Sequence, residues 1–419
     1  MRILHLVHQY LPDHVGGVEL NTHHLAQAQQ RAGDDVAVVF PQVGGDAPHP
    51  TVGAAGERRL PLPIPPRTDL TRFSATFHQP ALQRAFAQRL AEFQPDLVHI
   101  QHLMGLPTAL IESLHEAGIP YLITLHDYWW ICANAQLLTN DTGALCHGPE
   151  RWINCGRCAM ARAGLRGAAR RAAPAVAPLF AWRGQRLGNV LRGAAARMAP
   201  TAFTRDWHIA MGLAPPIEVV PYGIPLPNPL PSRRPRNDER LRLAYVGSIA
   251  PQKGVHLLVD AVGQLPQDQV QLDLYGGLDS FPDYVAELRA RRGDAILWHG
   301  RIPNEMVLAR LAAADLLVVP SIWYETSVIA IQEAFAVGTP VVASDLGAMA
   351  ERVQHGEDGL LFNANRVADL AATLRRFLDE PQLLPRLRSG IRPVHTIDAQ
   401  AAQLDRVYGD VIRARRGAW

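Results

Sequence analysis

Short runs of branched aliphatic residues alternate with stretches of helical periodicity along almost the whole chain, and no other feature narrows the possible folds as much. That rhythm is the mark of βαβ units, whose strands pair in parallel and are covered on both faces by helices. In the first half the strand runs are Ile3–His8, Val36–Phe40, Leu97–Ile100, Tyr121–Leu125, Ala199–Phe203 and Glu218–Pro221. In the second they are Leu243–Val246, Val270–Tyr275, Ile296–His299, Leu316–Pro320, Pro340–Ser344 and Leu360–Phe362. Between the halves, Pro225–Pro235 is too rich in proline for helix or sheet and reads as a semi-rigid linker. At 419 residues the chain exceeds what one core usually organises. The expectation is therefore α/β: a first Rossmann-like domain over 1–224, a linker over 225–240 and a second such domain over 241–395. A last helical pattern, Ala399–Arg416, lies in a terminal piece, 396–419, expected to return to the first domain. Another proline-rich piece, Leu60–Pro66, reads as an inserted surface loop.

Apolar residues make up 48% of the chain and charged ones 19%, which excludes a disordered or fibrous protein. No run of eighteen uncharged apolar residues occurs and the start lacks the apolar centre of a signal peptide, so the expected location is cytoplasmic. Charge is unevenly placed. Eleven arginines and no acid fall between Arg151 and Arg205, leaving the remainder net acidic. The chain holds one lysine, Lys253.

The densest local signal is WYETSVIAIQEAFAVGTPVV, from Trp323 to Val342. It follows a strand run, which predicts a helix beginning near Thr326, capped by Thr326 or Ser327 and ended by Gly338. Glu325 then stands just before the helix and Glu333 two turns inside it, roughly 12 Å along the axis. That span suits an elongated anionic ligand. Its phosphates would meet the free N–H groups of the first turn, at Thr326, Ser327 and Val328, while a carboxylate at each end accepts hydroxyl hydrogen bonds, Glu333 from both hydroxyls of a ribose. Two glutamates alone would read as a cap and a solvated helix acid; strand, helix start, glycine stop and second strand together favour the ligand site.

This constellation is similar to the E-x7-E motif of family 4 glycosyltransferases, retaining enzymes of the GT-B fold, and the resemblance extends over nearly the whole chain. Tyr245–Gly254, YVGSIAPQKG, looks like the family's donor-phosphate loop, in which an arginine and a lysine clamp the diphosphate. Gly247 lies in its turn and Lys253 matches the lysine. Ser248 stands where the arginine is expected, one positive charge fewer for the leaving nucleotide. Gly16-Gly17 resembles the family's first Gly-Gly turn, where the missing Cβ lets the backbone approach the sugar diphosphate. His126-Asp127 ends a strand where the family has a histidine that touches the donor sugar, which makes His126 the first catalytic candidate. Asp127 would orient it or meet the acceptor; His99 and His102 read as strand-end structure.

All four cysteines, Cys132, Cys146, Cys155 and Cys158, fall in an insert over 128–165 and end in C-x-x-C. This spacing reads as a structural four-thiolate zinc site, with buried metal-free thiols and an iron–sulfur cluster as alternatives. Many family members resemble this chain in carrying a cysteine-bearing insert after the His-Asp pair. Among the arginines of 151–205, Gly164–Arg171 and Trp182–Arg197 carry interleaved Leu, Phe, Trp and Val. They read either as basic amphipathic helices for an anionic membrane surface or as solvated faces, and no nucleic-acid motif accompanies them.

The resemblance implies transfer of a sugar, with retention, from a nucleotide-diphosphate donor to a glycan, lipid-linked or small-molecule acceptor. UDP and GDP are the favoured nucleotides. The donor would sit on the second domain and the acceptor on the first, across a cleft. Lys253 and Glu325 would act in catalysis with His126 and Asp127. No catalytic metal is expected, in keeping with the lack of any Asp-x-Asp. A GT-B epimerase or phosphorylase, or a non-catalytic sugar-nucleotide-binding partner, are the alternatives, the last suggested by Ser248.

Overall fold

The alternating pattern builds two sheets, each inside its own unit. A computed structural model describes residues 1–43, 50–53, 56–64, 73–165, 167–232, 239–291 and 295–416. Unit 1 is Met1–Pro225 with Thr396–Trp419, and unit 2 is Leu226–His395. Pro65, Pro66, Arg166 and linker residues 233–238 lie outside the described residues.

Unit 1 holds β1 (Arg2–Leu6), β2 (Asp35–Val43), β3 (Thr51–Val52), β4 (Arg58–Ile64), β5 (Leu97–Ile100), β6 (Tyr121–Thr124), β7 (Ala196–Ala199) and β8 (Glu218–Val219). They lie in the order β3-β4-β2-β1-β5-β6-β7-β8, parallel throughout except where β3 meets β4. Unit 2 holds β9 (Leu241–Val246), β10 (Val270–Tyr275), β11 (Ile296–Gly300), β12 (Leu316–Val319), β13 (Val341–Ser344) and β14 (Gly359–Phe362). Their order, β11-β10-β9-β12-β13-β14, is 3-2-1-4-5-6 counted from the unit's own first strand, the dinucleotide-fold order. Strand order reverses at β1/β5 in unit 1 and at β9/β12 in unit 2. At such a point the loops leaving the two strands diverge to opposite faces, and a crevice opens at the carboxyl ends.

Burial explains the sequence pattern. All residues of β5, β6, β12 and β13 are buried, since helices cover both faces of a parallel sheet. In unit 2 one core cluster joins Leu243, Val255, Leu258, Leu272 and Leu316, and another joins Ala244, Leu317, Ile331 and Val341 on the opposite face.

Three expectations are corrected. The described part of Leu60–Pro66, residues 60–64, is no surface loop, because Leu60 and Leu62 are buried in β4. Its prolines, 61 and 63, fall at every second position, so their missing N–H groups lie along one edge, where β3 pairs only with Arg58 and Arg59. The run Ala199–Phe203 is a strand end followed by a helix, Ala202–Ala210. Thr201 caps that helix by accepting from the Thr204 N–H at 3.2 Å. The helix after β12 does not begin near Thr326. It spans Ile329–Ala336 with Val328 at its N-cap and no side-chain cap, so Glu333 lies one turn inside rather than two.

The last helix, Ile397–Arg416, belongs to unit 1. Ile397, Leu404 and Tyr408 pack in one cluster with Ile3, Leu25, Leu97 and Leu122, and the Ile397 N–H donates to the Ile224 carbonyl at 3.0 Å. Each such side chain contributes about 1.5–3 kcal/mol of hydrophobic stabilisation.

Candidate active site

In unit 2 the sequence motifs meet at the β9/β12 crevice. Gly254 takes a left-handed conformation, φ +66°, in a close approach of the loop to β12: a Cβ there would lie 1.9 Å from the Pro320 carbonyl oxygen. This contact brings Lys253 to Glu325 across 72 positions of sequence. Glu325 Oε1 accepts from Lys253 Nζ at 2.8 Å, Ser321 Oγ at 2.7 Å and Trp323 Nε1 at 2.8 Å. The ammonium also lies 5.3 Å from the centre of the Trp323 ring. With Oε1 filled, Oε2 is the oxygen left to receive a ligand hydroxyl. Ser321 and Trp323 escaped the sequence reading, though both sit on the loop that carries Glu325.

Around the helix start, Ser327 Oγ is buried with no hydrogen-bond partner, a polar atom suited to a ligand oxygen. Thr326 and Val328 flank it on the same loop. Burial pushes the Glu333 carboxyl up to about 7. Gly247 and Ser248 leave β9 at this edge, Ser248 exposed and its carbonyl accepting from Tyr245 Oη at 2.7 Å. A Cβ at Gly277, just after β10, would lie 3.4 Å from Arg301, which places a guanidinium among the same strand ends.

In unit 1 polar side chains gather at the β1/β5 crevice and the end of β6. Gly16 is the N-cap of the helix Gly17–Arg31. Buried Glu19 lies 3.6 Å from His8 Nε2, the His8 and His102 rings are 4.4 Å apart, and His102 Nε2 is 3.0 Å from Asp127. The result is a row of acid, imidazole, imidazole and acid. Burial raises the Asp127 carboxyl, but His102 and the Trp129 N–H outweigh it and hold the group below its ordinary value. Asp127 therefore meets His102, not His126. The His126 ring is buried and engages Gln101 Oε1 through Nε2, at 2.6 Å, and the Tyr222 hydroxyl through Nδ1. Burial first, then the neighbouring His102, bring its pKa down to about 3, so the imidazole is neutral.

Beyond the His-Asp pair, the insert folds back on itself through the bridge Leu138–Leu145. Cys155 and Cys158 lie one turn apart on the helix Ile153–Arg162. Cys132, Cys146, Cys155 and Cys158, all free thiols, line one cavity of about 70 Å³. The Asn140 backbone N–H and its Nδ2 each donate to Cys158 Sγ at 3.3 Å. Among the described residues, no three His, Cys, Asp or Glu side chains converge as they stand to hold a metal. Beside the cavity, Arg183 is buried, donates to the Trp129 carbonyl at 2.7 Å and sits 5.1 Å from the Trp129 ring.

The arginine-rich stretch is not a uniformly solvated face. It spans the helix Ile153–Arg162, a 3-10 turn at Gly167–Ala172, the helix Ala173–Gly193 and β7, which carries Arg197. Arg151, Arg157, Arg162, Arg171, Arg186 and Arg192 are exposed, together with Leu165, Leu179 and Trp182. No described helix is long and apolar enough to cross a membrane.

Two Rossmann-like units with motif loops at each switch point define the GT-B class, and solved structures agree. Sucrose-phosphate synthase from Thermosynechococcus elongatus superposes with a TM-score of 0.72 at 21% identity, covering 99% of this chain and 100% of that one. HepE from Anabaena, in complex with UDP and glucose, gives 0.69 at 19% identity over 98% and 100%. Among curated proteins, glycogen synthase from Mycobacterium tuberculosis is 27% identical over 95% of this chain and 91% of its own. The D-inositol 3-phosphate glycosyltransferase of Nocardia farcinica is 33% identical over 42% and 43%. The family model "Glycosyltransferase Family 4" matches residues 15–227 and "Glycosyl transferases group 1" matches 240–380. The chain belongs to the family 4 glycosyltransferases. It is an enzyme that transfers a sugar from a nucleotide-sugar donor with retention.

Proposed function

We propose that unit 2 binds the donor diphosphate along the β9/β12 crevice and that Lys253 and Glu325 act there as one device. The observation that carries this reading is the convergence of Lys253, Ser321 and Trp323 on a single oxygen of Glu325, one loop away from the unpartnered Ser327 hydroxyl. Fixed before the ligand arrives, the ammonium needs little reorganisation to meet negative charge growing on the departing diphosphate. The N–H groups near Thr326, Ser327 and Val328 share that charge. Glu325 Oε2 holds a hydroxyl of the transferred sugar, and Glu333 accepts the two ribose hydroxyls. Gly247 and Ser248 line the phosphates, with Arg301 the nearest candidate for the charge that Ser248 lacks. From unit 1, the Gly16-Gly17 turn and the His126-Asp127 strand end serve the sugar and a glycan or lipid-linked acceptor.

UDP is the nucleotide named with one structural neighbour, HepE, and ADP with another, starch synthase IV of Arabidopsis thaliana; with the family expectation of UDP or GDP, this makes UDP, ADP and GDP the donors to try first. A thermal-shift screen over UDP-, GDP-, ADP- and CDP-sugars tests the reading, since a ligand of the folded state raises Tm. One nucleotide should stabilise the wild type and fail to stabilise Glu333→Ala. Stabilisation by none of them, or undiminished in that variant, argues against the site.

We further infer that the four thiols take up one structural zinc after side-chain rotation. A shared cavity, the paired N–H donors on Cys158 and a buried guanidinium beside Cys132 and Cys155 suit a thiolate centre of negative charge. The exposed Leu165, Leu179 and Trp182 among the exposed arginines of this stretch suit an anionic bilayer at the inner face of the membrane.

A further inference from the structure

His126 does not stand alone in unit 1; it belongs to a buried network of polar side chains. Gln101 Nε2 faces His5 Nδ1 at 2.9 Å and His99 Nδ1 at 3.2 Å. His5 Nε2 meets Gln29 Oε1 at 2.7 Å, and Gln29 Nε2 donates to the Tyr408 hydroxyl at 3.4 Å. Tyr408 closes the ring on His99 Nδ1 at 2.6 Å, and His99 Nε2 is tied to Thr124 Oγ1 at 2.7 Å. Five side chains, from β1, the helix Gly17–Arg31, β5, the residue after β5 and the last helix, thus form a closed circuit, and Gln101 Oε1 extends it to His126. All are at most 6% exposed.

With the Gln101 amide nitrogen towards His5 and His99 and its oxygen towards His126, proton counting sets the direction of each bond. Gln101 has two amide hydrogens, and both face imidazole Nδ1 atoms, so His5 and His99 accept there and carry their protons on Nε2; the one Nδ1 lone pair of His99 is shared between the Tyr408 hydroxyl at 2.6 Å and the longer Gln101 contact at 3.2 Å. His5 then donates to Gln29 and His99 to Thr124. The Tyr408 hydroxyl accepts from Gln29 and spends its hydrogen on His99. Gln101 Oε1 is left to accept from His126 Nε2–H, and His126 Nδ1 receives the Tyr222 hydroxyl. Every imidazole in this assignment is neutral. Burial acts in the same sense, bringing His5 down to about 4 and His99 well below its ordinary value.

We propose that Gln101 is the positioning residue of His126, holding its imidazole in the Nε2–H tautomer, and that Tyr408 on the last helix locks Gln101 by closing the circuit. Both ring nitrogens of His126 are committed inward. The ring acts as a strut for the strand end that presents the His126 backbone and Asp127, not as a proton shuttle. The catalytic part of this inference rests on the proposed role of His126 at the sugar; the positioning part does not.

The test uses the full chain labelled with 15N-histidine. In the wild type the His126 ring nitrogens should show one protonated and one unprotonated shift. In Gln101→Leu they should move towards each other as the tautomers mix, while kcat falls about tenfold or more and the donor KM changes less than about twofold. Tyr408→Phe, which removes one hydroxyl and keeps the packing, should give the same changes in weaker form at nearly unchanged Tm, and it decides the matter should Gln101→Leu not fold. A single-tautomer signature retained in the folded variants overturns the proposal. Mixed tautomers with an unchanged kcat would uphold the positioning and overturn the catalytic role of His126.

Discussion

Glu333 shows how one buried carboxyl can make donor binding depend on pH. Its pKa is raised from 4.5 to about 7, so the folded protein holds a proton that the unfolded chain releases. Stability should therefore fall as pH rises from about 4.5 to 7 and change no further above that, a loss on the order of 3 kcal/mol that Glu333→Gln removes. Donor binding runs the other way, since a carboxylate accepts two ribose hydroxyls and a carboxylic acid does so poorly. Affinity measured by calorimetry should drop about tenfold per pH unit below 7 in the wild type and stay level in Glu333→Gln. At the neighbouring position, Lys253→Ala should cost about 2–4 kcal/mol in kcat/KM. Because Lys253 and Glu325 share a hydrogen bond, the double variant with Glu325→Ala should fall short of additivity by about 1–3 kcal/mol. Strict additivity would dissolve the proposed device. Both residues were legible in the sequence as motif positions. Their contact was not, because it depends on Gly254 meeting Pro320, which no spacing encodes.

At the scale of elements, strands read more clearly than helix starts. Fully buried β5 leaves a short, nearly continuous apolar run and half-buried β10 an alternating one, and both begin and end where those runs do. The helix after β12 carries two hydroxyl residues in front of it, and either would ordinarily cap it. Instead Ser327 is buried without a partner and the chain reaches Val328 before turning helical, the preceding loop being used to surround Glu325. The row of Glu19, His8, His102 and Asp127 was equally hidden, since His8, His102 and Asp127 follow three different strands, Glu19 lies in the helix after β1, and only the sheet order brings them together. The cysteine insert was visible as a cluster, and its cavity gives a direct prediction. Purified protein should contain about one zinc per chain, and cobalt substitution should produce thiolate charge-transfer bands that Cys155→Ser abolishes. Chelation should lower Tm and loosen the loop after Asp127. A folded, active protein without metal would leave the thiols as packing alone.

For the whole molecule, the segment Arg151–Arg205 should bring the enzyme to anionic lipid. Each exposed arginine is worth up to about 1 kcal/mol near a charged leaflet, and the attraction is screened over roughly 8 Å at physiological salt. Sedimentation with phosphatidylglycerol vesicles, but not with phosphatidylcholine, should be lost at high salt and weakened in Leu179→Ser with Trp182→Ser; equal behaviour on both lipids removes the membrane from the account. The two-unit organisation was readable from the linker and the strand rhythm. The tie between the last helix and His126 was not, because the link from Tyr408 back to β5 spans 309 residues. That return has a consequence for the order of events at the ribosome. Unit 2 is complete once residue 395 has emerged, whereas unit 1, begun first, still lacks the side of its core that residues 397–416 provide. The later-made unit can finish before the earlier one. A chain truncated after residue 395 should carry a protease-resistant unit 2 beside a cleavable unit 1, and adding residues 396–419 back should protect both.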